Sequence, residues 1–532
     1  MNTLLVANRG EIALRVFRAA KARGLLTVAV VAPDDRGSLH ARSADAVVEI
    51  ASYLDAHEHL RAARETGADA VHPGYGFLAE NADFAAAVDG AGLTWIGPPA
   101  DALRSGGDKL AAKRIAEQAG VPVVPETDVP PLIVKAAAGG GGRGMRIVRD
   151  VSELDESVAA ARREAKAAFA DDRIYLERYV ERPRHVEIQL LADEHGNVLS
   201  LGERECSVQR RHQKVLEESP STAVGAELRA LLGEAAVRFA RAVGYVGAGT
   251  AEFVLDGTDF YFLELNGRIQ VEHPVTELVT GVDLVDWQLR IAAGERLEVG
   301  PEQRGHAVEV RLYAEDPRSF LPQAGRIDRL VLPNSIRVDA GVAEGDTIST
   351  SYDPMIAKLI AGGPTRDAAL DRLGSALAEV EVTGVTTNLP FLRWLVSHPS
   401  LRAGDTTTAF LVEHPPLSPP PSVQADAAWR RPFRLNLPAP ELRPPPDLDA
   451  SAAPHTHAGA GSAVTAPMPG TVIRVLAAEH ASVKAGEPLV ILEAMKMETP
   501  LTAPYDAVVE AVRVREGDRV AAGATLVELS AD

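Results

Sequence analysis

Two glutamates in the middle of the chain are spaced so that they could share a divalent cation. The surrounding sequence alternates apolar and polar residues in two short runs, as the strands of a hairpin do. A three-residue loop at 257–259 would pair residue 254 with residue 262. That register brings Glu252 directly opposite Glu264, where like charges destabilise a sheet unless a cation lies between them. Carboxylate oxygens suit Mg²⁺ or Mn²⁺. A hairpin in another register, with both carboxylates in water, is the open alternative.

The segment after this hairpin could hold a small anion. Asn266 lies on the same face as Glu264 and would add an amide oxygen to the metal site. Arg268 and Glu272 follow, four residues apart, so an anion bound by the arginine could lose a proton to the glutamate. By itself this spacing is also typical of a simple salt bridge.

A run of glycines could bind phosphate groups. Residues Gly139–Gly142, Arg143 and Gly144 follow a strand-like segment that ends at Lys135. Glycine lets backbone amides turn toward an anion, and the neighbouring lysine and arginine suit a polyphosphate. The pattern is neither a Walker sequence nor a dinucleotide-binding fingerprint.

Lys496 lies at the centre of an internal repeat. A shift of 37 residues superimposes its flanks without a gap, so that Val472 falls on Val509 and Gly486 falls on Gly523. Two copies of a short-strand unit predict a flattened barrel of two small sheets. Lys496 would then be exposed on a hairpin where the copies join. A lysine between two methionines at such a join is typical of an attachment point.

Composition limits the classes of function. The chain has 532 residues, a net charge of −19 and 46% hydrophobic residues. It has room for about three or four domains, and it lacks the basic clustering of a nucleic-acid-binding surface. The single cysteine, Cys206, suits a reducing cytosol, and we interpret it as a small buried filler. No apolar run reaches the length of a membrane span. We therefore expect a cytoplasmic protein that binds neither nucleic acid nor membrane.

The order of predicted elements divides the chain into five regions. Strand and helix alternate at the start, which predicts a parallel sheet. Eleven prolines between Pro415 and Pro446 are typical of a linker, which continues to Ser462. Within it, Trp429–Phe433 is either a docking element or a sticky patch. The predicted regions are an α/β sheet domain at 1–107, α+β regions at 108–305 and 306–413, the linker at 414–463 and an all-β barrel at 464–531.

Several of these stretches, and the setting of Lys496, match known families. The matching stretches are Val6–Ala13, His72–Leu78, the glycine run, Cys206–Lys214 and Arg268–Pro274. Together they resemble biotin carboxylase, an ATP-grasp ligase. The barrel resembles the biotinyl carrier domain of biotin-dependent carboxylases, whose modified lysine lies in the same Ala-Met-Lys-Met setting. The combination is similar to the α subunit of an acetyl- or propionyl-CoA carboxylase.

This resemblance implies a role for each matching residue. The implied nucleotide-binding residues are Lys109, Lys135, Gly140, Gly141, Gly142, Gly144, Glu177, His185, Gln209 and His212. Of these, Glu177 would line the adenine side. The implied metal ligands are Glu252, Glu264 and Asn266. The implied catalytic residues are Lys214, Arg268 and Glu272, which with the Val271 backbone hold bicarbonate, and Arg311, which stabilises the biotin enolate.

The resemblance also implies a reaction and partners. ATP would phosphorylate bicarbonate to carboxyphosphate, whose collapse yields CO₂ beside biotin, with Glu272 as the base. A biotin protein ligase would attach biotin to Lys496. The carboxylated biotin would pass to a separate carboxyltransferase β subunit that carboxylates an acyl-CoA, a step typical of fatty acid biosynthesis. We expect a homo-oligomer within a larger complex.

Three features depart from the family pattern. Arg178 stands where a lysine is usual, and a guanidinium is not equivalent to an ammonium group. Gly267 replaces a bulkier residue, which predicts a looser metal loop. Only residues 126–131 separate Pro125 from the strand that leads to Lys135, where relatives have a helix. This short segment predicts altered nucleotide affinity.

Other functions fit part of the sequence. A carrier with a degenerate, inactive ligase half would only present biotin, but the intact Lys214, Arg268, Glu272 and Arg311 argue against it. A lipoyl carrier uses the same barrel, but its lysine generally follows an aspartate. Another ATP-grasp ligase would have no reason to carry a biotinyl domain. The acyl-CoA cannot be named, because acceptor choice belongs to the carboxyltransferase.

Overall fold

The computed structural model divides the chain into two compact units. It describes residues 1–137, 145–169, 171–210, 213–300, 302–349, 351–418, 463–466, 470–494, 497–520 and 523–531. The first unit contains the residues up to Ser418, apart from the segments 319–325 and 348–354. These two segments and the C-terminal residues form the second unit.

The first unit begins with a five-stranded parallel sheet, as the alternation of strand and helix predicts. The strands are β1 (Thr3–Val6), β2 (Leu26–Val31), β3 (Ala46–Glu49), β4 (Ala70–His72) and β5 (Thr94–Trp95), in the order β3-β2-β1-β4-β5. The helices are α1 (Gly10–Ala22), α2 (Leu39–Ser43), α3 (Ala56–Thr66), α4 (Ala82–Gly90) and α5 (Ala100–Gly107), with a 3₁₀ turn at Pro33–Asp35. The central strand β1 is buried, as expected for a strand in the middle of a parallel sheet.

A small antiparallel sheet carries Lys135. It contains β6 (Leu132–Ala136), β7 (Arg146–Val148) and β8 (Ile174–Arg178), in the order β7-β6-β8. The helix α6 (Lys109–Gln118) precedes it; a 3₁₀ turn at Val151–Glu153 and the helix α7 (Leu154–Phe169) lie between β7 and β8. Residues 126–131 form no helix, and Glu126 makes a single bridge to Glu177. The segment that sequence comparison marks as short is therefore a plain connection.

An eight-stranded antiparallel sheet forms the centre of the first unit. Its strands include β9 (Arg184–Ala192), β10 (Val198–Arg210), β11 (Gln213–Ser219), β12 (Gly247–Asp256), β13 (Asp259–Asn266) and β14 (His306–Tyr313). The helices α8 (Ala226–Ala242), α9 (His273–Thr280) and α10 (Leu284–Ala292) pack with it. Because β11 pairs with β14, one sheet crosses the boundary predicted at residue 305.

The elements between Gly325 and Glu413 include the last two strands of this sheet. The order of the large sheet is β13-β12-β9-β10-β11-β14-β19-β17. The remaining strands are β15 (Gly325–Arg326), β16 (Arg329–Val331), β17 (Arg337–Ala340), β18 (Thr347–Ile348), β19 (Met355–Gly363) and β20 (Glu381–Thr383). The remaining helices are α11 (Arg366–Glu379), α12 (Leu389–Ser397), α13 (Pro399–Arg402) and α14 (Phe410–Glu413).

The turn of the β12–β13 hairpin differs from the prediction. It holds two residues rather than three, with Gly257 at a φ of +66°, as two-residue hairpin turns require. Val254 therefore pairs with Tyr261, and the predicted pair with residue 262 is wrong.

A register shift restores the predicted carboxylate pair. The irregularity lies between Glu252 and Phe253, where a β-bulge adds one residue to the partner strand. Glu252 consequently lies opposite Glu264, as predicted. Two errors of one residue cancel because the bulge offsets the shorter turn.

The second unit contains the predicted barrel of two small sheets. Its strands are β21 (Ala463–Thr465), β22 (Gly470–Val475), β23 (Ser482–Val483), β24 (Pro488–Ala494), β25 (Met497–Thr502), β26 (Ala507–Val512), β27 (Arg519–Val520) and β28 (Thr525–Ala531). The sheets have the orders β21-β28-β26-β23 and β25-β24-β22-β27. A shift of 37 residues carries β22 onto β26, β23 onto β27 and β24 onto β28. The sequence repeat is therefore a structural repeat, and each sheet takes strands from both copies.

Two predicted features fall largely or wholly outside the described residues. Ala494 at the end of β24 pairs with Met497 at the start of β25, so the strands flank Lys496, which itself is not among the residues described. Most of the predicted linker, including Trp429–Phe433, is likewise outside them. In the described part of the chain, no helix combines the length and apolar character needed to cross a membrane.

Candidate active site

Two lysines share one buried carboxylate on the nucleotide side of the site. Lys135 Nζ lies 2.6 Å from Glu177 Oε2, and Lys113 Nζ lies 3.1 Å from Glu177 Oε1. Lys113 Nζ also lies 3.3 Å from Glu126 Oε1, so the two lysines are matched by two carboxylates. The implied adenine-side residue Glu177 is thus tied to the lysines. Lys113 was not predicted, although it stands one helical turn after Lys109 on α6.

The β12–β13 hairpin carries the predicted metal ligands Glu252, Glu264 and Asn266, and we call it the metal hairpin. Lys109 on α6 contacts this hairpin. Its Nζ lies 3.3 Å from Glu264 Oε2, across from the buried Glu252. Asn266 Nδ2 donates to Glu252 Oε1 at 2.9 Å, while its Oδ1 accepts from Arg268 Nη2 at 3.0 Å. The three predicted metal residues therefore lie at one end of the hairpin.

A histidine contacts Glu252 directly and is itself held by Gln209. His185 Nε2 lies 2.8 Å from Glu252 Oε2, and Gln209 Nε2 lies 2.5 Å from His185 Nδ1. Because the Gln209 amide donates to Nδ1, the ring presents its N–H to Glu252. Burial raises the pKa of Glu252, but the charges of Lys214 and His185 outweigh burial and hold that pKa well below its usual range. Glu252 is therefore an ionised carboxylate, the form in which a carboxyl group can bind Mg²⁺.

A second set of donors also meets at Glu252. Potential ligand atoms of His185, Glu187 and Glu252 all lie within 4.8 Å of one another. Glu264 belongs to no such group of three among the residues that the structure describes. Carboxylate oxygens suit a divalent cation. Glu252 belongs both to the predicted ligand set, with Glu264 and Asn266, and to the set with His185 and Glu187.

Lys214 lies at the centre of a cluster of predicted catalytic residues. Its Nζ contacts four acceptor oxygens, from Glu187 at 2.5 Å, Glu272 at 2.6 Å, and Glu252 and Gln270 at 2.9 Å. Burial lowers the pKa of Lys214, but the three carboxylates outweigh it and raise that pKa well above the usual range. Lys214 is therefore a fixed positive charge between the metal hairpin and Glu272.

Glu272 lies between two cations. Besides Lys214, Arg311 Nη2 lies 3.1 Å from Glu272 Oε2. Burial raises the pKa of Glu272, but the positive charges of Lys214 and Arg311 outweigh burial and lower that pKa strongly. The Glu272 carboxylate is therefore ionised at neutral pH. Cys206 Sγ lies 4.0 Å from Glu272 Oε1, and burial raises the pKa of this thiol. The thiol is a buried group without an activator, as the sequence indicates.

Arg311 has one unused donor. Its Nη2 is paired with Glu217 and with Glu272. Its Nε is buried and has no hydrogen-bond acceptor among the described residues. A buried donor without a partner fits an anionic or carbonyl ligand.

Arg268 is held from the N-terminal domain. Glu80 Oε2 accepts from Arg268 Nε at 3.0 Å, and Glu80 Oε1 accepts from the Gly267 backbone N–H at 2.9 Å. Glu80 was not predicted, although it stands just after the matching stretch that ends at Leu78. It fixes the position of the implied bicarbonate arginine.

Comparisons with known families match four stretches of the chain. Residues 1–103 match "Biotin carboxylase, N-terminal domain", 108–299 match "Carbamoyl-phosphate synthase L chain, ATP binding domain", 309–413 match "Biotin carboxylase C-terminal domain" and 462–529 match "Biotin-requiring enzyme". A biotin carboxylase from Haemophilus influenzae is 47% identical over 439 residues, which are 77% of this chain and 98% of that protein. This chain belongs to the biotin carboxylase family.

Other relatives are longer or are separate domains. The α subunit of a mitochondrial methylcrotonoyl-CoA carboxylase from Arabidopsis thaliana is 49% identical over 77% of this chain, and the match spans 60% of that relative's length. The biotin carboxylase domain of a 2-oxoglutarate carboxylase from Hydrogenobacter thermophilus, solved with MgADP and bicarbonate, is 44% identical with a TM-score of 0.76. That match covers 78% of this chain and 98% of the solved domain.

Within this biotin carboxylase fold, several implied residues are not placed. Gly140, Gly141, Gly142, Gly144, His212 and Lys496 lie outside the described residues. The other implied residues fall into two groups, a nucleotide group around Glu177 and a catalytic group around Lys214, which are joined through the metal hairpin.

Three residues that the sequence analysis did not predict contact Lys214 or its partners: Glu187, Arg204 and Gln270. Glu187 accepts from Lys214 and from Arg204 Nε, each at 2.5 Å, and Arg204 is fully buried. Gln270 contacts both Lys214 and Glu252. Gln270 lies inside the matching stretch Arg268–Pro274 and Arg204 lies just before the stretch Cys206–Lys214, whereas Glu187 lies in no matching stretch and has no spacing pattern.

Two departures from the family pattern have a structural reading. Arg178 Nη1 donates to Asp256 Oδ2 at 3.0 Å and stacks over Tyr261, so it braces the hairpin turn. A Cβ at Gly267 would lie 2.6 Å from Leu103 Cδ2. Glycine thus permits close approach of α5, and the Gly267 N–H is anchored by Glu80.

Proposed function

We propose that this chain uses ATP to carboxylate biotin attached to Lys496 and delivers the carboxyl group to a carboxyltransferase subunit of an acyl-CoA carboxylase. The observation that carries the proposal is the buried contact of Lys214, Glu272 and Arg311 beside the Glu252 hairpin. A degenerate ligase half would have no reason to keep these charges buried together, because taking even paired charges out of water carries a large desolvation cost.

Lys214, Arg268 and Glu272 are proposed to bind and deprotonate bicarbonate. Lys214 and Arg268 provide the positive charge, and the ionised Glu272 is the base. Lys214 is also the strongest cationic influence on Glu272. When bicarbonate takes over the lysine, the pKa of Glu272 rises and the carboxylate becomes a better base.

Arg311 is proposed to receive the ureido group of biotin. Its unpaired Nε–H and permanent charge suit the oxygen on which negative charge develops when biotin loses its N–H proton. The contacts with Glu217 and Glu272 hold the guanidinium in place before biotin arrives.

The nucleotide residues are proposed to neutralise ATP. Lys109 and Lys135 would meet the phosphates, together with the glycine run, and Glu252, Glu264 and Asn266 would hold Mg²⁺ or Mn²⁺. A bound divalent ion would neutralise phosphate charge. The solved relative with MgADP and bicarbonate supports a magnesium-bound nucleotide and bicarbonate as the ligands.

The acceptor and the partners form the outer part of the proposal. The named relative acts on methylcrotonoyl-CoA, and acetyl-CoA or propionyl-CoA are the acceptors that the sequence resemblance implies. We propose a carboxyltransferase β subunit and a biotin protein ligase as partners, and an oligomeric carboxylase. The predicted cytoplasmic location and the five predicted regions are part of the same proposal.

Two variants of the full-length chain test the assignment. Lys214→Met should abolish bicarbonate-dependent ATP cleavage. Arg311→Met should retain that cleavage and lose carboxylation of free biotin, measured as acid-labile radiolabel from bicarbonate. If Arg311→Met carboxylates free biotin at the wild-type rate, the assignment of the biotin site is wrong.

A further inference from the structure

Strands β11 and β14 hold two glutamates that the proposed reaction does not use. Glu217 lies directly opposite Glu309 in the antiparallel register, and both side chains are fully buried. In the described part of the chain, no hydrogen-bond donor reaches either oxygen of Glu309. Glu217 makes its ion pair with Arg311. Two ionised carboxylates in opposed buried positions would repel, and one of them would lack any partner.

The charges around this pair cannot balance two anions. The groups that face it are Arg311 on β14, Lys358 on β19, Lys214 on β11, Cys206 on β10 and Glu272 before α9. Each cation is already engaged. Lys214 and Arg311 both contact Glu272, and Lys358 Nζ lies 2.8 Å from the Val271 carbonyl and 3.3 Å from Glu11.

The titration of the two acids agrees with their geometry. Burial is the main cause that raises the pKa of Glu217, to about 7. Burial also raises the pKa of Glu309 well above its usual range. Two adjacent carboxyl groups of this kind release their protons as a pair rather than as separate residues.

We propose that Glu217 and Glu309 share one proton and, as a pair with a single negative charge, position Arg311 for the charge that develops on biotin. This inference rests on the proposed function. With one proton, the pair adds only one anion to the surroundings of Arg311, whose other ion pair is with Glu272. When the pair loses that proton, a further buried anion lowers the positive potential that Arg311 presents to the biotin oxygen. Carboxylation of biotin should therefore decline as the pH rises, while steps that do not use Arg311 should not.

Glu309→Gln tests this pair, because it keeps the size of the protonated acid but cannot ionise. The full-length protein is assayed with ATP, bicarbonate and free biotin across the neutral and alkaline range. In the wild type we expect an alkaline loss of biotin carboxylation, and in Glu309→Gln this loss should move up by at least about one pH unit. Cleavage of ATP with bicarbonate but without biotin should keep the same pH profile in both proteins. An unchanged alkaline limb of biotin carboxylation in the variant overturns the proposal.

Glu217→Gln provides the matched comparison. It removes the anion that contacts Arg311, so it should raise the KM for biotin by about tenfold, whereas Glu309→Gln should change that KM by less than about twofold at neutral pH. Equal effects of the two variants on the KM for biotin contradict the shared proton.

Infrared difference spectra test the pair without catalysis. The wild type at neutral pH should contain the C=O stretching band of a protonated glutamic acid that is absent from Glu309→Gln, in which Glu217 keeps its ion pair with Arg311. Identical spectra of the wild type and Glu309→Gln contradict the shared proton. A wild type that carboxylates no free biotin contradicts the proposed function instead, so the two failures can be told apart.

Discussion

At the scale of single residues, the site depends on which charges Lys214 connects. Its ammonium group contacts Glu252, the central residue of the metal hairpin, and Glu272, the proposed base. Replacing either carboxylate therefore changes the environment of the other. Glu264, which contacts Lys109 instead, is the better residue for testing the metal site alone.

Glu264→Gln and Glu272→Gln should separate metal binding from base catalysis. Glu264→Gln should raise the concentration of Mg²⁺ needed for half-maximal ATP cleavage by about tenfold or more, because one carboxylate ligand is lost. Glu272→Gln should leave ATP binding close to normal and lower bicarbonate-dependent turnover by about 10²–10⁴-fold. Steady-state kinetics with varied Mg²⁺, ATP and bicarbonate distinguish the two. Identical behaviour of the variants would contradict the division of roles.

Glu80→Gln should weaken bicarbonate binding specifically. The substitution leaves the hydrogen bonds to Arg268 and Gly267 possible but removes the charge that fixes the arginine. We expect the KM for bicarbonate to rise by about three- to tenfold with the KM for ATP unchanged. Glu65→Gln, on the exposed surface of α3, is the matched control. An effect of Glu80→Gln on ATP and bicarbonate alike would show that Glu80 acts on the whole loop instead.

At the scale of elements, the end of β4 is held by a neutral histidine. His72 Nδ1 accepts from the Gly74 N–H at 2.9 Å, and its Nε2 lies 3.2 Å from Gln288 Oε1 on α10. A ring that accepts at one nitrogen and donates at the other is neutral. Burial lowers the pKa of His72 to about 4.

This histidine should make the first unit sensitive to acid. Above the unfolded pKa of about 6.5, His72 is neutral in both states and its contribution to stability is complete. As the pH falls from about 6.5 to about 4, His72 takes up a proton in the unfolded chain but not in the folded chain. The free energy of unfolding therefore decreases by about 1.4 kcal/mol for each pH unit. His72→Gln should lower the free energy of unfolding at every pH. It should also remove the contribution of one proton, about 1.4 kcal/mol per pH unit, from the slope of that free energy against pH, as measured by urea unfolding at several pH values. The exposed His57→Gln should keep the wild-type slope; an unchanged slope in His72→Gln would contradict the prediction.

Sequence patterns predicted elements better than the connections between them. The parallel sheet at the start of the chain and the two-sheet barrel at its end were both predicted, because alternating elements and an internal repeat leave a local sequence pattern. The hairpin turn was mispredicted, because a β-bulge leaves no mark on alternation. The continuity of the large sheet past residue 305 also has no local signal, since β11 and β14 are far apart in sequence.

The site was predicted where residues lie in recognisable stretches. The structure places Glu252 opposite Glu264 and brings Lys214, Glu272 and Arg311 into contact. The supporting residues Glu80, Lys113, Glu187 and Arg204 were missed. Their partners are set by tertiary packing, which places residues from different domains side by side without any spacing rule.

At the scale of the whole molecule, the proposed linker should connect two separately folded parts. Limited proteolysis of the full-length protein should cut first between Ser418 and Ser462 and release an intact biotinyl fragment, because its proline-rich and small-residue composition disfavours a folded core. Gel analysis with avidin detection identifies that fragment. Protection of the whole segment would indicate a compact domain in place of a linker.

The most direct test follows the carboxyl group onto the chain itself. Full-length biotinylated protein is incubated with ATP, Mg²⁺ and radiolabelled bicarbonate, beside Lys496→Arg, which cannot form the amide with biotin. The account predicts acid-labile label on the wild-type chain, none on Lys496→Arg, and carboxylation of free biotin by both. Label that persists on Lys496→Arg, or a fully biotinylated wild type that takes up no label, would contradict it.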